Sequence, residues 1–269
     1  MAIPDNVAAA GALAMEHDEY LLPPGCKDSI LQHPSGSNEA VELALFQDHR
    51  FAFFFWSRWT RKLGLEKRPP TLVSLDWHED LAAPGGEELD ELIGLNQGDP
   101  REVSLFCWER LNPINDGHIL AAAYLNLIGD IYVVRKQIES SDNSFEDSQG
   151  RSHRICCFGT IEELLVELKQ AQGERVFFDL DLDYFTESPD LCGGGGEVQL
   201  VSDDAVRSVL DPKGELLGWV FERFAGMTIA TEPEFCGGVI NSNRLLSVVS
   251  DCLFYPQLMG HGATWKHLR

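Results

Sequence analysis

The sequence predicts an α/β fold with a mostly parallel central sheet, and two observations carry that reading. Apolar runs of buried-strand type alternate with segments of helical spacing along most of the chain. Such alternation builds a parallel sheet with helices packed on it. Several of the runs also stop at residues of metal-ligand type, and sites in open α/β sheets form at the carboxyl ends of strands. The chain has 269 residues, 44% of them hydrophobic, enough for one large domain. We place that domain over residues 1–269, with 1–40 as an N-terminal arm or peripheral elements and 41–252 as the core.

The elements follow in order. The first 35 residues are poorly patterned and broken at Pro23-Pro24-Gly25 and Pro34-Ser35-Gly36. Residues 41–46 read as a strand that ends at Gln47-Asp48-His49. Phe51, Phe54, Phe55, Trp59 and Leu63 then recur at helical spacing over 50–65, with that face expected in the core. Residues 71–75 form a second buried strand. A short acidic helix is expected over 87–95, a short apolar segment over 104–107, and a helix over 119–128 after turn residues that include His118. Strands are expected at 131–134 and 154–158, an exposed loop over 139–151, and a helix from Thr160 to about residue 172 with Glu163 as its capping-box partner. Residues 176–178 form a third buried strand. The four glycines 193–196 lie in a long loop. Helices over 202–210 and 214–224, a strand over 227–231 and a last helix over 241–252 complete the core, and 260–269 are unassigned.

Composition narrows the chemistry. With 43 acidic against 21 basic residues the formal charge is −22, which disfavours nucleic-acid backbones and anionic membranes; it would attract a cationic substrate, although charge alone is better read as serving solubility. Seven cysteines without a C-x-x-C pair point to a reduced, cytoplasmic protein rather than a disulfide scaffold or thiolate zinc site. The apolar run at 7–15 lacks a basic start, so no signal peptide is expected.

Two stretches dominate. Ser74-Leu75-Asp76-Trp77-His78-Glu79-Asp80 and Phe177-Phe178-Asp179-Leu180-Asp181-Leu182-Asp183 each present ligand-type residues at every second position after an apolar run. Alternation puts Asp76, His78 and Asp80 on one face, and Asp179, Asp181 and Asp183 on one face. Carboxylates packed this closely repel unless a cation lies between them. One imidazole among hard oxygens suits Mn, Fe or Mg. His49 and Glu232 fall at two further strand ends, so four segments converge on one rim. An EF-hand is excluded, because Tyr184 stands where that loop needs glycine.

D-x-H-x-D after one buried strand and F-D-x-D after a later one resemble the ureohydrolase fold of arginases and agmatinases. The D-H before an aromatic helix, D-W-H-E-D, D-L-D-L-D-Y-F and T-E-P-E-F-C-G-G resemble more closely the peptide arginases, which convert arginine to ornithine within ribosomally made peptides. The resemblance spans about residues 41–250. It implies a three-layer arginase/deacetylase-like fold. It also implies two Mn(II) ions per chain, with Fe(II) or another divalent metal as the alternative. His49, Asp76, Asp80 and Asp179 would hold one ion and Asp76, His78, Asp179 and Asp181 the other, with Asp76 and Asp179 bridging. A hydroxide shared by the ions would attack the guanidinium carbon. Glu232, with Glu234 as second candidate, would orient the guanidinium, and His118 would protonate the leaving amine or relay protons. The implied partner is an arginine-containing precursor peptide. The glycine-rich lead-in and the D-G-L-D-P ending of free-arginine enzymes are absent. Alternatives on this fold are a free-arginine or agmatine hydrolase and a deacetylase. A non-catalytic module that binds arginine peptides is the alternative of another class.

Overall fold

The computed structural model describes residues 21–137, 143–171, 173–190, 193–194 and 197–269. Eight strands form one sheet in the order β1-β2-β10-β7-β3-β4-β6-β5. These are β1 (Lys27–Gln32), β2 (Ala40–Phe46), β3 (Thr71–Leu75), β4 (Ile131–Val134), β5 (Asn143–Glu146), β6 (Ser152–Phe158), β7 (Val176–Asp181) and β10 (Phe224–Ala230). The six inner strands pair in parallel, and β1 and β5 close the two edges antiparallel. This is the α/β architecture the strand-helix alternation predicts.

Helices cover both faces. On one lie α1 (Ala52–Lys62), α2 (Gly86–Gly94), α3 (Pro100–Glu109) and α4 (His118–Tyr124). On the other lie α5 (Ile161–Leu168), α6 (Asp203–Val209), α7 (Glu215–Arg223) and α8 (Val239–Leu253). Each face has its own apolar core, so the sheet is buried on both sides, as parallel sheets are. The helix α1 is buried on nearly every side, from Phe53 through Trp56 to Trp59. It lies between the sheet and the outer helices α3 and α4, and a helix apolar all round belongs in such an interior. Leu63, expected on its core face, is exposed beyond its end.

Several boundaries differ from the sequence reading. The core does not stop at 41 and 252. Strand β1 joins the sheet, and Trp265, on the short strand β12 (Thr264–Trp265), is fully buried and donates its indole N–H to the carbonyl of Gln32 at 2.7 Å. β12 pairs with β11 (Phe254–Tyr255), and the short strands β8 (Thr186–Glu187) and β9 (Gln199–Leu200) pair apart from the main sheet. Residues 1–20 of the expected arm lie outside the described residues, as do Gly195 and Gly196 of the glycine tract. The apolar segment at 104–107 is the middle of α3, which starts with Pro100 behind an Asp99 cap; proline suits that first position. The exposed loop expected over 139–151 contains edge strand β5. Thr160 caps α5 by accepting from Glu163 N at 3.2 Å, while Glu163 accepts from Gly159 N at 2.9 Å. No helix among the described residues is long and apolar enough to cross a membrane.

The order β2-β10-β7-β3 sets the carboxyl ends of four strands side by side, and those ends carry His49, Glu232, the Asp181–Asp183 pair and Asp76. Close approach of α1 to the sheet depends on Gly226 in β10, where a Cβ would stand 2.6 Å from the Trp59 ring. We expect Gly226→Ala to lower stability by about 1–3 kcal/mol in urea denaturation, the usual cost of overpacking a core. No measurable change would mean that α1 moves freely off the sheet.

Candidate metal centre

His49 opens a short turn, His49–Phe51, between β2 and α1 and is completely buried. Its backbone N–H donates to Glu232 Oε1 at 2.9 Å. Its Nδ1 lies 3.2 Å from Asp76 Oδ2, 3.0 Å from Asp80 Oδ2 and 3.2 Å from Asp181 Oδ2. Its Nε2 lies 2.8 Å from Asp179 Oδ2. His78 Nδ1 lies 3.5 Å from Asp76 Oδ1 and 3.2 Å from Asp183 Oδ2. Asp76 thus offers one oxygen to the His49 side and the other to the His78 side.

Among the described residues four groups of donors lie close enough to hold an ion: His49, Asp76 and Asp181; His49, Asp80 and His118; Asp76, His78 and Asp183; and Asp181, Asp183 and Glu232. His49 Nδ1, Asp76 Oδ2 and Asp183 Oδ2 are buried without a hydrogen-bond partner. They crowd together yet do not satisfy one another, as ligand atoms aimed at common points do and as ordinary buried polar groups do not. The donors, carboxylate oxygens with imidazole nitrogen, suit Mn or Fe, so the residues present fit the divalent ions the sequence implied.

The structure changes the ligand assignment. Asp179, expected to bridge, stands inside β7, which runs to Asp181 rather than ending at 178. Its carboxylate accepts from Ser74 Oγ at 2.8 Å, Thr228 Oγ1 at 2.6 Å and the His49 ring. Asp183, expected only behind the ligands or facing the substrate, lies beside His78, and Asp181 lies beside His49. A turn over Leu182–Phe185 lifts Asp183 to the rim, with its backbone N–H donating to Asp181 Oδ1 at 3.0 Å. Asp183 Oδ1 accepts from Trp77 N at 3.0 Å. The signal was the alternation itself, which continues two residues further.

The other candidates divide. Glu232 is buried at the rim and Oε1 also accepts from Asn115 Nδ2 at 2.9 Å. Glu234 is exposed on the same turn, and none of the donor groups includes it. His118 is wholly buried behind His49, with ring centroids 4.3 Å apart, and against Trp56 at 5.5 Å. Its Nδ1 donates to the Asn115 carbonyl at 3.1 Å and lies 3.7 Å from Asp80 Oδ2. With no solvent contact it is not placed to relay protons, and burial with the neighbouring His49 charge pushes it down to about 3. Its Nε2 is buried without a hydrogen-bond partner, and His118, His49 and Asp80 lie close enough to share one ion. Asp80, Asn115 and Glu232 all have positive φ (51°, 65° and 26°), and strain of this kind gathers at functional sites.

Six buried carboxylates (Asp76, Asp80, Asp179, Asp181, Asp183, Glu232) face three imidazoles, those of His49, His78 and, at Asp80, His118. Burial, followed by the Asp76 charge, pushes Asp80 up to about 7. Burial raises Glu232 to about 8, opposed by His49 and aided by Asp183 and Asp80. Burial disfavours a charged His49, yet Asp179 above all raises it well above the usual range.

No family model matches the chain, and no curated protein matches it. Solved structures do match. One is the proclavaminate amidino hydrolase from Streptomyces clavuligerus, 15% identical, with a TM-score of 0.44 over 77% of this chain and 60% of that one. This chain therefore spans less than two thirds of that protein, and at such a score the likeness assigns no chemistry.

Asp80 and Glu232 bind their protons more tightly when folded. That stabilises the fold fully only below their unfolded values, near 4, and the contribution is lost as pH rises through about 7 and 8. The raised His49 and His78 act with the same sign, the lowered His118 opposes them as pH rises to its unfolded value near 6.5, and the lowered Asp76 and Asp179 act only in acid. In EDTA the melting temperature should therefore fall from about pH 5 to about pH 8. Saturating Mn(II), which displaces these protons, should flatten or reverse that slope. A slope unchanged by metal would count against the centre.

Proposed function

We propose that this chain is a binuclear metallohydrolase that converts arginine within a peptide to ornithine and urea. The observation that carries the reading is the pair of buried donor sets meeting at Asp76 beside the buried carboxylate of Glu232. Two sets sharing one carboxylate favour two ions over the single zinc of a deacetylase. His49, Asp80, Asp76 and Asp181 would hold one ion, and Asp76, Asp181, His78 and Asp183 the other. When bound, a pair of Mn(II) ions supplies a water-derived nucleophile at neutral pH.

The chain's own residues do the rest. Glu232 Oε1 is occupied by two N–H donors, from His49 and Asn115, so the carboxylate is held rigidly with Oε2 left for a substrate. A guanidinium is a planar fork that pairs well with such a carboxylate. Once paired, its carbon is held close to the donor sets, because Glu232 lies within 4.8 Å of Asp181 and Asp183 ligand atoms. Orientation of this kind removes much of the entropic barrier to attack. The buried Trp77 beside Asp76 and the half-buried Phe235, edge-on to His78 at 4.7 Å, wall the site. His78 is the half-open side, 17% exposed, and a cationic side chain reaching in from a larger peptide would enter there.

The test is a mass-spectrometric assay of Mn(II)-loaded protein with an arginine-rich peptide and, separately, with free arginine. Peptidyl ornithine and urea, with little turnover of free arginine, are expected. Turnover of free arginine alone would make the chain a metabolic ureohydrolase. Binding of peptide in EDTA with no urea in Mn(II) would make it a binding module. Glu232→Gln should keep both ions and lose at least about 100-fold in turnover, the usual cost of an orienting group. Asp76→Ala should lose metal and turnover together, and Glu234→Gln should change neither.

A further inference from the structure

We propose that Asp179 is a positioning residue for the metal centre. It holds the His49 proton on Nε2, so that Nδ1 is the atom presented to the ion. The role rests on the metal-centre reading above and not on the peptide substrate. Three strands build it. Ser74 and Thr228 are the register partners of Asp179 on β3 and β10. Both hydroxyls can only donate to a carboxylate, and they do so at 2.8 and 2.6 Å. A fully buried carboxylate is costly without such donors; with them it is fixed in place.

His49 then spans two levels of β7. Asp179 and Asp181 share a face of the strand and lie two residues, about 7 Å, apart along it. The ring fits between them, Nε2 down to Asp179 at 2.8 Å and Nδ1 up to Asp181 at 3.2 Å. Nε2 is satisfied, whereas Nδ1 is buried without a hydrogen-bond partner and has three carboxylate oxygens within 3.2 Å. The ring is also clamped by the neighbouring His118 ring at 4.3 Å and by its own backbone N–H to Glu232. A carboxylate on the far nitrogen of a metal-binding imidazole fixes tautomer and orientation and raises ligand basicity. Asp179 is thus distinct from its two neighbours in D-L-D-L-D, which face the ions directly.

Two readouts test this. In the Zn(II)-loaded wild type, long-range proton–nitrogen NMR should place the His49 proton on Nε2 and the metal on Nδ1. Chelator competition should show the ion held by His49 weakened about 10- to 100-fold in Asp179→Ala, with Asp179→Asn between it and wild type, and the His78-side ion changed less. A purely structural Asp179 would lower the melting temperature without moving the NMR signature or separating the two ions. Wild-type affinities in both variants, or a proton on Nδ1 in the wild type, would overturn the proposal. The wild-type spectrum decides it even if Asp179→Ala does not fold. A chain that binds no Zn(II) would overturn the centre and this role together. One that loads zinc with the expected signature but leaves peptidyl arginine untouched would refute the substrate and leave the role standing.

Discussion

Mutual repulsion among carboxylates that the fold refuses to release to water is the constraint on which the site depends. Six are buried within one cluster, and the cations in direct contact with them, among the described residues, are two histidines. In a low-dielectric interior such a group must take up protons or metal. Protonation accounts for the raised Asp80 and Glu232, and for the raised His78, which burial opposes but Asp183 and Asp76 push up to about 12. Two divalent ions would replace those protons at once, with neutral imidazoles as ligands. The same atoms would therefore serve either state.

The sheet makes that confinement possible. Parallel strands end together, and the order β2-β10-β7-β3 brings four ends to one edge although their segments lie far apart in the chain. Below the rim, β3, β7 and β10 contribute Ser74, Asp179 and Thr228 at one level, a polar rung in an otherwise apolar sheet. Above it, Asp76 and Asp181 form the next rung and Glu232 the one beyond. The buried aromatic helix α1 backs this arrangement and carries Trp56 against His118, which in turn packs on His49. Rigid support of this kind holds ligands in place before any ion arrives.

Access is one-sided. His49, Asp76, Asp181 and Asp183 are sealed by the helices and the sheet, and His78 with Phe235 forms the face nearer solvent. Gly193 lies against Trp77, with a Cβ there only 2.7 Å from the indole, and Gly194 lies against Phe235. These two glycines let the backbone lie flat on the aromatic walls, and both have positive φ, which glycine adopts without strain. An acidic groove of about 510 Å³ between α2 and α3 is separate from the centre.

The sequence by itself determined the architecture and the neighbourhood of the site. Alternating apolar runs specify strands and helices through their periodicity, which depends only on local geometry. Asp76, His78, Asp80, His49 and Glu232 were all legible because each follows an apolar run that had to be a strand. Only the tertiary structure decided which carboxylates face the centre. The strand β7 continues through Asp179 because Ser74 and Thr228, distant in sequence, supply hydroxyls that make a buried aspartate tolerable in mid-strand. No local pattern shows that compensation, so the strand read from hydrophobicity ends too early and the ligands fall two residues short. His118 is a similar case: its place near a helix start is visible in the chain, but its burial behind His49 follows from how α4 packs on α1. Glu232 and Glu234 have the same chemistry and adjoining positions, and the turn after β10 alone separates the buried one from the exposed one.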